Sequence, residues 1–82
     1  MENLTQIWNQ VLDIIKPEFS SMQVSYTTWI ETIIPIELTE SQIKLKVPYE
    51  YNRDMINLRY SNLIKNALLF VTGRNLEIDI TR

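Results

Sequence analysis

PYEYNRDMINLRYSNLIKNALLFVTG, residues 48–73, is the stretch whose reading decides the fold. It reads as one long helix, with Pro48 at its start and Gly73, the chain's single glycine, at its end. That is the expected asymmetry of helix termini. On a helical wheel Ile56, Tyr60, Leu63, Ile64, Ala67 and Val71 fall on one stripe, wide enough to carry the core of a small domain. Tyr51, Met55 and Leu58 fall on nearly the opposite side. A helix with two apolar sides bends, is sandwiched, or offers one side to a partner.

The remainder of the chain supplies a frame for that helix. Residues 4–16 form a first helix, with Asn3 as its cap and Pro17 just after its last turn. Leu4, Trp8, Val11 and Ile15 make a compact stripe, widened by Ile7 and Ile14 on one flank and Leu12 on the other. The arc exceeds the ~100° that a surface helix needs. It packs against both helix and sheet, or part of it lies outside the core. A briefer helix is expected over 25–31, capped by Ser25, with Tyr26, Trp29 and Ile30 sharing one face. Its two aromatics read as an anchor, into the core or toward a partner.

Three period-two patterns predict strands. Ile34, Ile36 and Leu38 alternate with Pro35 and Glu37; Ile43, Leu45 and Val47 with Lys44 and Lys46; Leu76, Ile78 and Ile80 with Glu77 and Asp79. Residues 39–42 suit a hairpin loop between the first two strands. Pro35 cannot donate to a ladder, so its strand is an edge or carries a bulge. The second strand, long helix and third strand form a crossover that makes those strands parallel. The expected fold is α+β in the order ααββαβ: a small three-stranded mixed sheet, strand order 1-2-3, with helices packed on one face.

Composition bounds what such a fold can do. Eighty-two residues with 45% hydrophobic content make one domain, 1–82, without linker, repeat or low-complexity tract. Cysteine and histidine are both absent. That excludes disulfides, thiolate or imidazole metal sites and the usual general base near neutral pH. There is no GxxxxGK[ST], GxGxxG, HExxH or GxSxG motif, and one glycine cannot build a phosphate cradle. Glu50, Asp54 and Glu77 sit in ordinary helix or strand contexts that suit a solvated face. We therefore expect no catalytic residue, cofactor or metal. The formal charge of −2 argues against binding dominated by phosphate contacts. Lys44, Lys46, Arg53, Arg59, Lys65 and Arg74 are interspersed with acids, the pattern of a mixed soluble surface. No apolar run approaches the roughly 20 residues of a membrane span, and no signal-peptide pattern opens the chain. The stretch around Pro48 is where function concentrates: Trp29, Tyr49 and Tyr51 are residue types that anchor interfaces, with Asn52 and Met55 beside them.

The succession IWNQVL (7–12), SYTTWI (25–30), VPYEY (47–51) and RDMINLRYSNLI (53–64), then TG and a short last strand, resembles the DnaA N-terminal domain, domain I of bacterial replication initiators. The resemblance covers essentially the whole chain. It implies a fold akin to a type II KH domain, in agreement with the ααββαβ reading. It also implies a cytoplasmic adaptor, not an enzyme. Such a domain helps recruit the replicative helicase, binds regulators of initiation and self-associates, with weak affinity at most for single-stranded DNA. ATP binding and origin recognition belong to later domains.

Carried over by position, the resemblance implies a self-association role for Trp8, with Ile7 and Val11 beside it. It gives Tyr51 helicase and regulator contacts, and sets Trp29 and Asn52 on the regulator-binding surface. Ser25 stands where some relatives carry an acid that touches the helicase, and Tyr49 where asparagine is usual. Both departures put the corresponding contacts in doubt. Two alternatives remain. One is a KH-like single-stranded nucleic-acid module, although a lone Gly73 cannot form the GXXG loop. The other is a free-standing relative of domain I acting as a decoy for the initiator's partners.

Overall fold

The computed structural model describes residues 3–82. Helix α1, Leu4–Ile15, starts as the sequence predicts: the Gln6 amide donates to Asn3 Oδ1 at 3.1 Å. That bond satisfies one of the amides a helix start leaves unpaired. Trp8, Val11 and Ile15 are buried, and Leu4 and Leu12 pack against the core from either side. The chain tightens into a 3₁₀ turn, Lys16–Phe19, that carries Pro17 and drops Phe19 into the core.

The second helix differs from its expected span. An α-helical turn, Gln23–Ser25, runs into a π-helical segment, Tyr26–Ile30, and the two together are α2. Ser25 thus lies inside the helix, half-buried, and its side chain caps nothing. The Glu31 amide donates to the Tyr26 carbonyl at 2.9 Å, five residues back. This wider turn breaks the 3.6-residue periodicity on which the shared face of Tyr26, Trp29 and Ile30 rested. Tyr26 and Ile30 go inward, while Trp29 stays half-buried at the margin.

Strands β1 (Ile34–Leu38), β2 (Gln42–Lys46) and β3 (Glu77–Thr81) form one mixed sheet in the order β1-β2-β3. β1 and β2 are antiparallel, and β2 and β3 parallel. The hairpin is closed by Thr39, whose Oγ1 accepts the amides of Ser41 and Gln42 at 3.4 and 3.1 Å. Ile43, Leu45, Val47, Leu76 and Ile80 are buried, and Lys44 and Lys46 face outward.

β1 alone departs from its pattern. Its ladder slips between Pro35 and Glu37, a bulge where a proline edge strand was expected to carry one. Pro35 then faces Leu45 on the covered side, and Ile34 faces Lys46 on the open side. Ile34 and Ile36 are exposed, at 56% and 49%, instead of buried. One extra residue inverts the phase of a period-two strand.

The long helix α3 consists of an α-helical segment Glu50–Met55, a π-helical segment Ile56–Tyr60 and an α-helical segment Ser61–Thr72. It ends on Gly73 at φ 72°, the left-handed conformation that glycine adopts most cheaply. Of the three behaviours open to a helix with two apolar sides, the structure shows a break in its course and one apolar side left exposed. The backbone departs from helical values at Tyr60 (φ −117°, ψ −3°), beside the π segment. Ile56, Ile64 and Ala67 are buried, while Tyr51 and Leu58 on the other side are exposed. The fully buried set includes Ile15, Ile30, Ile43, Leu45, Ile56, Ile64, Leu68 and Leu76, one or more from every helix and from β2. Each contributes about 1.5–3 kcal/mol of apolar burial.

Candidate protein interface

The candidate site is built where α3 leaves β2. Tyr49, after Pro48, holds the cap position in extended backbone (φ −139°, ψ 156°) without a side-chain cap bond. The amides of Asn52 and Arg53 turn back to the Tyr49 carbonyl at 3.1 and 3.4 Å. This tight start sets Tyr49 and Tyr51 side by side. Their rings stack at 5.1 Å with only 9° between planes. Trp29, arriving from α2, meets Tyr51 edge-on at 6.0 Å and 89°. Offset-stacked and edge-to-face pairs are the arrangements that ring quadrupoles favour. Tyr49 and Tyr51 remain 56% and 57% exposed. Exposed aromatic residues of this kind are the type that anchors protein interfaces, which makes this cluster the candidate site.

Asn52 is what holds the two helices in this relation. It is 2% exposed, and its Nδ2 donates to the Thr28 carbonyl at 3.1 Å, tying α3 to the residue before Trp29. Its Oδ1 is buried without a hydrogen-bond partner. The expectation that Asn52 belongs to the exposed binding surface is therefore corrected: it is buried, and its amide ties α3 to α2. The signal was present in the sequence, since Asn52 falls four residues before Ile56 on the buried stripe, where a polar side chain needs a partner.

The other expected site residues divide. Met55, one turn along α3, is half-buried beside the cluster's helix, and Ser25 is half-buried within α2. Trp8 and Val11 lie in the core at 3% and 0% exposure, so α1 cannot present them to a second copy. The wide arc of α1 is used mostly inward, because the helix packs against both α3 and β1. What stays outside is the flank of Ile7, half-buried, and Ile14, 37% exposed. The Trp8 indole N–H is buried with no acceptor. Exposure that the sequence did not reveal falls on Phe70, at 83%.

Several basic side chains along β2 and α3 are paired with acids. Lys44 pairs with Glu37 at 3.8 Å, Lys65 with Glu77 at 3.9 Å, and Arg53 with Glu50 at 2.9 Å on the first turn of α3. Among the described residues no group of three or more acidic side chains converges as a metal site. No described helix is long and apolar enough to cross a membrane.

The model of the DnaA N-terminal domain family matches residues 5–69, which run from α1 through most of α3 and include every residue of the ring cluster. The chain belongs to the DnaA N-terminal domain family and is a domain of a replication initiator.

Proposed function

We propose that this domain is the protein-interaction module through which the initiator recruits the replicative helicase and is engaged by regulators of initiation, in the cytoplasm. The observation that carries this reading is the Tyr49–Tyr51 stack with Trp29 set against it, more than half exposed at both tyrosines and held together by ring contacts. Rigid aromatic side chains contribute large contact area at small entropic cost, so a partner gains without having to order them. Tyr51 is the central contact, Tyr49 and Trp29 flank it, Met55 extends it along α3, and Asn52 holds it in place. The mixed charges around it and the net charge of −2 favour an adaptor over a nucleic-acid module. Self-association, on this reading, uses the Ile7 and Ile14 flank of α1.

The test is calorimetric titration of the domain with the cognate helicase. Tyr51→Ala is expected to lower affinity at least tenfold with an unchanged circular dichroism spectrum. Wild-type affinity in both Tyr49→Ala and Tyr51→Ala would overturn the proposal. Sedimentation of Ile14→Glu against wild type checks the self-association surface.

A further inference from the structure

We draw no further inference here: the strongest candidate, the apolar groove lined by Ile34 of β1 with Val47 and Pro48 after β2, is an unpartnered surface, and nothing in the structure shows what covers it.

Discussion

The domain holds two clusters of three aromatic rings, and they are used in opposite ways. Inside, Phe19 is the hub: Tyr26 meets it edge-on at 5.8 Å and Tyr60 lies tilted at 5.4 Å. Outside, Tyr51 is the hub, with Tyr49 stacked on it and Trp29 at its edge. The residue types are nearly the same, and α2 supplies one ring to each cluster from positions three apart. Backbone placement makes the difference. Phe19 sits on a 3₁₀ turn packed against Tyr26 of α2 and Tyr60 of the π segment of α3, whereas Tyr51 sits on the first turn of the helix that follows the central strand β2. Aromatic content alone says nothing about which cluster stabilises the fold and which is available to a partner; the path of the chain around each hub does.

That contrast can be broken or sharpened by substitution. Phe19→Ala is expected to cost about 3–5 kcal/mol in urea unfolding, the usual result of emptying a buried ring site. Tyr51→Ala should cost under about 1 kcal/mol in the same measurement. Equal losses would make the outer cluster a core by another name. For partner binding the ranking reverses. Tyr51→Ala should lose about 2 kcal/mol or more of the proposed partner affinity, in the range of an interface hot spot.

Asn52→Ala tests the link between the two behaviours. It removes the donor to the Thr28 carbonyl and should cost about 1–3 kcal/mol of stability. It should also loosen the Trp29–Tyr51 contact, which Trp29 fluorescence in a Trp8→Phe background would report. An unchanged emission spectrum would mean that the rings hold their geometry without the tie. The smallest effect is expected for Tyr49→Ala, within about 0.5 kcal/mol of wild type by thermal melting, because the ring rests on Tyr51 and little else.

Much of the architecture was legible in the residues. The Asn3 cap, the period-two strands β2 and β3, the proline-linked bulge in β1, the strand order and the glycine at the end of α3 all follow from local rules that hold whatever the rest of the chain does. The exposure of Tyr49 and Tyr51 was legible too, since both precede or fall off the buried stripe, but the stacking of their rings was not. The misreadings share a cause. The shared face of α2 and the inward phase of β1 assumed unbroken periods of 3.6 and 2, and a π turn and a bulge each insert one residue's worth of rotation. The surface role of Trp8 and Val11 came from the family resemblance, while the residues themselves left open whether the wide apolar arc of α1 packs against one neighbour or two. It has two.

By itself, then, the sequence determined which segments become helix or strand, the α+β element order and the exposed aromatic positions at the start of α3, because these depend on spacing, capping and turn chemistry within a few residues. Only the tertiary structure decided that Trp8 is core, that Asn52 is buried and bonded to the Thr28 carbonyl, and that Asp13, Tyr26 and Glu31 line one groove. Those outcomes depend on which surfaces meet across the fold, and no local period encodes a contact between residues that far apart in the chain.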